Sequence, residues 1–400
     1  MARILFAWEL GADLGHLNRI LAVARALQGK GHVIFLAVRD MSNIQRVINP
    51  SDPFLWFQAP LWLPPLRNQP AAVSYAEILF FTGFLDPAGL LGLVRGWHAL
   101  FAAIKPDLLV CDHAPVSLLS ARAAPFKRIT LGSGFLHPPR LAPLPVFRTW
   151  EEVDPSRVSE AEERVLSSAN RVLQIMGQAP LQHLYQLFDI DRCLLTTWPE
   201  LDHYANRESD GHEEYVGPIT PTDAGAKPNW PDGGGRRIFA YLKEEHGAIN
   251  SILQALSGGR DRVLAYVLGL ADQQLRQYAS PQLLVSTQPI CYQEALGSAD
   301  AVICHGGMGT VSSALLAGKP VLTLPLHSEQ RITGERVAAL GCGICLVQPQ
   351  VEAEIGDAIS QLVGNVALRR QAERFRSSHR NFSFDAAVGR VVEVVETLVA

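Results

Sequence analysis

The sequence predicts an α/β protein made of two doubly wound halves. Three observations carry that expectation: a strand–helix–strand pattern at the start, a Pro- and Gly-rich stretch near the middle, and renewed strand–helix alternation after it. Arg3–Trp8 (RILFAW) reads as a short buried strand. Leu17, Ile20, Leu21, Ala24 and Leu27 then fall at helical spacing, and Gly29-Lys30-Gly31 stops the helix. His32–Val38 (HVIFLAV) is a second strand, so the first two strands are parallel and joined by a crossover helix. Asp107–Cys111 and Arg128–Leu131 read as later strands of the same sheet, after a less regular Pro- and aromatic-rich region over residues 50–100. Residues 217–235 (GPITPTDAGAKPNWPDGGG) consist largely of turn formers and mark a linker. Beyond it, Arg237–Leu242, Val263–Val267, Gln282–Ser286, Ala301–Cys304 and Val321–Leu324 read as strands with helical stretches between them. Proteins of this shape commonly bind ligands in the cleft between domains, at the carboxyl ends of strands.

Composition narrows the function. The chain has 400 residues, 48% of them hydrophobic, enough for two ordinary cores. Charged residues make up 18% and the formal net charge is −4, which gives no electrostatic footprint for nucleic acid or an anionic membrane. Six scattered cysteines form no disulfide framework and fit a reducing cytoplasm. The apolar run after Met1 soon meets Glu9 and Asp13, unlike a signal peptide. No segment reads as the roughly 18 uncharged apolar residues of a membrane span. The nearest, Ile78–Val94, contains Asp86-Pro87 and three glycines.

His305-Gly-Gly-Met-Gly-Thr310 leaves the strand Ala301–Cys304, Val311–Leu316 continues as a helix, and Gly318 with Pro320 ends it. A helix start presents unpaired N–H groups and the positive end of the macrodipole, and glycines let an anion approach closely. The same spacing also suits a plain tight turn. It matches neither the Gly-Lys-Ser/Thr ending of a P-loop nor the Gly-x-Gly-x-x-Gly dinucleotide pattern.

Taken together, HGGMGT (305–310), AGKPVLTLP (317–325), Glu329-Gln330 and RVAALGCG (336–343) resemble the donor-binding half of the nucleotide-sugar glycosyltransferases of the GT-B fold. The likeness is to their inverting family, which includes UDP-glycosyltransferases and macrolide and glucuronosyl-type transferases. Gly15-His16-Leu17-Asn18, followed by Gly31-His32-Val33, is similar to the opening of that family's acceptor domain, and Tyr215-Val-Gly-Pro218 to its entry into the linker. The resemblance implies two Rossmann-like domains facing a cleft. Residues 1–216 would bind acceptor, residues 217–380 the nucleotide-sugar donor, and residues 381–400 would form a helix returning to the first domain.

Sugar transfer needs a deprotonated acceptor hydroxyl and a stabilised diphosphate leaving group. The chain pattern puts His16 in a loop after the first strand, and a histidine accepts a proton near neutral pH. The resemblance implies that His16 is the general base and that Asp112 orients it, with Asp13 or His113 as alternative bases. It further implies that His305, Gly307, Met308, Gly309 and Thr310 hold the diphosphate. Glu329 and Gln330 would bond the sugar hydroxyls, where the family usually has Asp-Gln; a helix cap is the plainer reading of that pair. Tyr292 and Gln293 fall where the family holds the nucleotide base. Three departures stand out. Ser313 replaces the glutamate that commonly holds the ribose hydroxyls, which fits a deoxyribose donor such as a dTDP-sugar as well as a UDP-sugar. Lys243-Glu-Glu-His-Gly247 replaces a Gly-Ser turn, leaving Lys243 to neutralise phosphate charge. Arg19 replaces a proline and faces the diphosphate, an acidic acceptor, or water.

Two short motifs read as coincidental: Asp189-Ile-Asp191 as a metal pair and Cys342-Gly-Ile-Cys345 as a redox or metal pair. Neither a metal nor another cofactor is expected. The apolar stretches Trp56–Leu66 and Ile78–Leu93 read as core, or as the lining of an apolar acceptor pocket with peripheral membrane contact. A sugar-nucleotide epimerase and a catalytically silent nucleotide-sugar-binding partner share the same motifs and stand as alternatives.

Overall fold

The computed structural model describes residues 1–400 apart from 12–13, 50, 66–68, 205–206, 209–210, 221–224, 272–273, 275–276 and 279. The chain divides into two compact units, Met1–Ile219 with Ser383–Ala400, and Thr220–Phe382.

In the first unit, β1 (Arg3–Trp8), β2 (Val33–Val38), β3 (Leu55–Gln58), β4 (Leu108–Asp112), β5 (Lys127–Gly132), β6 (Arg192–Leu195) and β7 (Glu213–Tyr215) form one parallel sheet. Its order is β3-β2-β1-β4-β5-β6-β7. The central strands are buried on both faces, which is why β1, β2 and β4 read as unbroken apolar runs rather than as alternating patterns. The region expected to be irregular contains β3 and two helices, Tyr75–Phe80 and Pro87–Ile104. Asp86 sets the start of the second helix by accepting the N–H groups of Ala88 and Gly89. That helix has 18 residues and, by length and composition, is apolar enough to cross a membrane, with Arg95 as its one charge. The apolar segment Ile78–Val94 straddles the start of this helix, with Asp86 as its cap and Pro87 as its first residue. Its stripe of Leu90, Val94, Trp97, Phe101 and Ile104 packs into the core of this unit.

In the second unit, β8 (Arg237–Lys243), β9 (Arg262–Leu268), β10 (Leu283–Ser286), β11 (Ala301–Cys304), β12 (Val321–Thr323) and β13 (Gly343–Cys345) are again all parallel. The order is β10-β9-β8-β11-β12-β13, the same winding as the first six strands of the other sheet. Gly343 is required by crowding: a Cβ there would lie 1.9 Å from the Val321 carbonyl oxygen. In each sheet the strand order reverses at one place, between β1 and β4 and between β8 and β11. Ligands of such sheets bind outside the carboxyl ends of the strands at that reversal.

The last helix, Phe384–Val399, belongs to the first unit, where Val391 and Val395 are buried against the helix Leu14–Gly29 and β4. Its outer turns are tied by a His32–Glu396 hydrogen bond and by Arg390, whose Nε donates to Glu214 at 2.6 Å.

Candidate active site

At the reversal in the first unit, β1 and β4 run in register with Trp8 opposite Asp112, so the loops leaving both strands start side by side. His16 lies in the first turn of the helix Leu14–Gly29, not in a loop, because the helix begins before the apolar spacing does. Its Nδ1 is 2.8 Å from Asp112 Oδ1. A carboxylate only accepts, so Nδ1 carries the proton and Nε2 keeps its lone pair. Asp112 is fully buried. Burial alone would raise its pKa, but the charges and hydrogen bonds of Arg19 and His16 outweigh it and hold the carboxyl below its usual range.

Arg19 donates to both oxygens of Asp112, from Nη2 at 2.8 and 2.7 Å and from Nε at 3.0 Å. The residue left by sequence as a phosphate or acceptor contact thus has its guanidinium on the Asp112 carboxylate. It also places Nη2 3.3 Å from His16 Nδ1, a cation beside the ring.

Two rings stack against the imidazole, Trp8 at 5.6 Å between centroids and His113 at 6.3 Å. Along the Nε2 edge lies Gly11, at φ +93°, where a Cβ would come within 2.3 Å of Nε2. His113, one alternative base, adopts φ +50°, and its carbonyl accepts the N–H groups of Glu9 and Leu10 at 3.3 and 3.1 Å. Its ring packs between His16 and Tyr75. Asp13, the other alternative, lies outside the described residues.

At the reversal in the second unit, buried His305 follows β11, and Gly307 opens the helix Met308–Leu316 with no side-chain cap and no acid in the first turn. That leaves the helix start able to receive an anion. Gly306 takes φ +90° with its Cα pressed on Gln330, where a Cβ would sit 2.7 Å from the carbonyl oxygen. His305 packs edge-on to Tyr241 at 4.9 Å, and Tyr241 in turn stacks on Tyr266 and meets Tyr292 edge-on. Tyr292, placed by resemblance at the nucleotide base, has an enclosed hydroxyl, and burial pushes that phenol well above its ordinary pKa. Gln293 beside it is exposed.

The Ser313 hydroxyl donates back to the Gly309 carbonyl at 2.9 Å. Gln330 is buried, and its Oε1 accepts the Leu326 N–H at 2.9 Å, which directs its amide nitrogen the other way. Glu329 is half-buried in the first turn of the helix Ser328–Ala339, whose N-cap residue is His327. Lys243 ends β8 with its side chain 8% exposed and its Nζ 3.6 Å from Glu245.

Residues 270–399 match the erythromycin biosynthesis protein CIII-like C-terminal domain. Over nearly the whole chain the sequence is similar to the demethyllactenocin mycarosyltransferase of Streptomyces fradiae, 28% identical across 95% of this chain and 84% of that protein. The fold is similar to that of the calicheamicin glycosyltransferase CalG4, with a TM-score of 0.74 at 20% identity over 100% of this chain and 98% of that one. The spinosyn rhamnosyltransferase SpnG in complex with thymidine diphosphate also matches, with a TM-score of 0.67 at 18% identity over 98% of this chain and 100% of that one. The chain has the GT-B fold, and the relatives it matches are named as glycosyltransferases.

Of the two short motifs, the aspartate pair is taken up in ion pairs: Asp189 pairs with Arg140, and Asp191 with Lys127 and the Arg128 N–H. Burial pushes the Cys342 thiol up to about 11 and raises that of Cys345. Elsewhere in the first unit, ligand-competent atoms of His137, Cys193 and Glu213 lie within 4.8 Å of one another. There Glu213 already takes the buried guanidinium of Arg207 at 2.8 Å, and burial raises the Cys193 thiol, so the cluster is built as an ion-pair network with Asp202. Sequence reasoning missed Trp8, Glu9, Gly11, Tyr75 and Tyr241. For Glu9 and Gly11 a signal existed, namely a charge and a glycine directly after a buried strand. For the aromatic residues there was none, since aromatic residues in strands and helices ordinarily read as core.

Proposed function

We propose that the chain transfers a sugar from a dTDP- or UDP-sugar to a hydroxyl group of an apolar small-molecule or lipid acceptor, with inversion and without a metal ion, in the cytoplasm. The observation that carries this reading is the His16–Asp112 pair at 2.8 Å on one strand reversal, with an uncapped helix start on the other. His16 Nε2 takes the acceptor proton, Asp112 stabilises the imidazolium that forms, and the acceptor oxygen bonds to the anomeric carbon as its bond to the diphosphate breaks. The leaving electron pair goes to the diphosphate oxygen. The first turn of the helix Met308–Leu316, His305 and Lys243 supply positive potential for it, the part that a divalent metal plays in other transferases. Glu329 and Gln330 offer an acceptor and a donor to the sugar hydroxyls. A dTDP donor is favoured because the Ser313 hydroxyl is turned to Gly309 and offers the ribose no carboxylate. The thymidine diphosphate complex of the spinosyn enzyme supports the same choice.

The test starts with a thermal-shift panel of UDP, dTDP and GDP to find the nucleotide that stabilises the fold. Donor turnover by wild type and His16→Ala is then measured with and without a chelator. The expected result is product formation that survives the chelator and falls about 10²- to 10⁴-fold in His16→Ala with nucleotide affinity unchanged. Interconversion of the donor without release of sugar would mark an epimerase. Binding without any turnover would mark a silent partner. Wild-type turnover in His16→Ala would remove His16 from the mechanism.

A further inference from the structure

Glu9 lies one residue past β1 and is 2% exposed. Both its carboxyl oxygens reach across the strand reversal to backbone N–H groups, Oε2 accepting from Val116 at 2.9 Å and Oε1 from Ser117 at 2.7 Å. Those groups open the helix Pro115–Ser120, directly behind the turn that carries Asp112 and His113. The main chain ties the same two loops, since Glu9 and Leu10 donate to the His113 carbonyl. Arg39 holds the Glu9 carbonyl from the far side at 2.8 Å. One segment, Trp8–Gly11, therefore supplies the stacking wall of His16, the edge under its Nε2, and the carboxyl that grips the Asp112 turn.

No step of sugar transfer uses Glu9, yet a carboxyl so deep is expensive to bury. Burial pushes its pKa up to about 8, against the pull of the two backbone N–H bonds. The titratable groups that face it are Tyr75 and Cys111, both of which burial keeps neutral. The turn it grips also holds a histidine at φ +50°, a conformation that a non-glycine residue keeps only when its surroundings impose it.

We propose that Glu9 is a positioning residue for sugar transfer: by gripping the N–H groups of Val116 and Ser117, its carboxyl sets the alignment of Asp112 on His16. The inference rests on the reading of His16 and Asp112 as the proton-accepting pair.

Glu9→Gln keeps the shape but sets an NH2 group, which cannot accept, where a carboxyl oxygen meets a backbone N–H group. Two quantities are read: kcat against donor KM, and the downfield proton resonance of His16 Nδ1–H on Asp112, assigned by its loss in His16→Gln. The expected result is a fall in kcat of roughly 10- to 100-fold, donor KM within about twofold, and a shifted or lost resonance. If Glu9→Gln does not fold, Glu9→Asp, which keeps both acceptors on a shorter stem, is read in the same way with the same expectation. An unmoved resonance overturns the proposal even if kcat or melting temperature falls, because a merely structural loss would leave the pair aligned. A chain with no transfer activity for any donor refutes the proposed function, while the resonance still decides the role of Glu9.

Discussion

Gly11→Ala tests how tightly the base is held. A Cβ at this position would stand 2.3 Å from Nε2 of His16, 2.8 Å from Cδ2 and 3.1 Å from Cε1. Unstrained heavy-atom contacts lie near 3.5–4.0 Å, so the ring or the loop must give by about 1 Å. The ring has little freedom, because Asp112 holds Nδ1 and Trp8 and His113 stack against it. The φ of +93° adds strain of order 1–3 kcal/mol for any residue with a Cβ. Displacing a catalytic group by about 1 Å costs on the order of 10²-fold in rate, close to 2.7 kcal/mol of transition-state stabilisation. Initial rates at saturating donor and acceptor should therefore fall by about that factor. Calorimetric titration with the nucleotide diphosphate should be unchanged, since Gly11 belongs to the other unit. Gly15→Ala is the control: it sits one residue before His16 with nothing within 4 Å of the new Cβ. A Gly11→Ala enzyme within twofold of wild-type kcat would refute the reasoning that the imidazole rests on this glycine.

The remaining predictions concern the second unit and pH. Gly306→Ala would set a Cβ 2.7 Å from the Gln330 carbonyl oxygen at φ +90°, so nucleotide affinity should drop at least about tenfold by titration while the His16 resonance stays in place. Glu9 has a folded-state pKa of about 8, above its ordinary 4.5. The folded chain therefore binds the extra proton between those values, and stability should fall as pH rises through that window, by at most on the order of 5 kcal/mol. Melting temperature measured from pH 5 to 8 should show that decline in wild type and lose it in Glu9→Gln. Asp112, whose pKa is depressed, acts in the opposite sense. Its contribution is present above the ordinary carboxylate range, is lost only on acidification below it, and so leaves the Glu9 window clear.

The local chemistry of the chain was legible without the fold. Buried parallel strands write themselves as apolar runs, and RILFAW, DLLVC and AVIC lie within a residue of the observed β1, β4 and β11. The glycine turn at 305 and the linker announce themselves because positive φ and chain breaks require particular residues at particular places. Asp112 and the 305–310 loop stand at the ends of strands, whereas His16 was marked by the resemblance of Gly15–Asn18 to a known acceptor-domain opening.

Tertiary structure decided the partnerships. Arg19 and Asp112 are 93 residues apart, and Glu9 and Ser117 are 108 apart. They meet because β4 pairs with β1 instead of following β3 in the sheet. No local spacing encodes that order, so the sequence left Arg19 to face a phosphate, an acidic acceptor or water, and gave Glu9 no role. Helix and strand periodicity reports only which face of an element is buried. Which buried group stands opposite it depends on strand order and register, and in this chain those two things turn an arginine into a clamp on the buried carboxylate of Asp112.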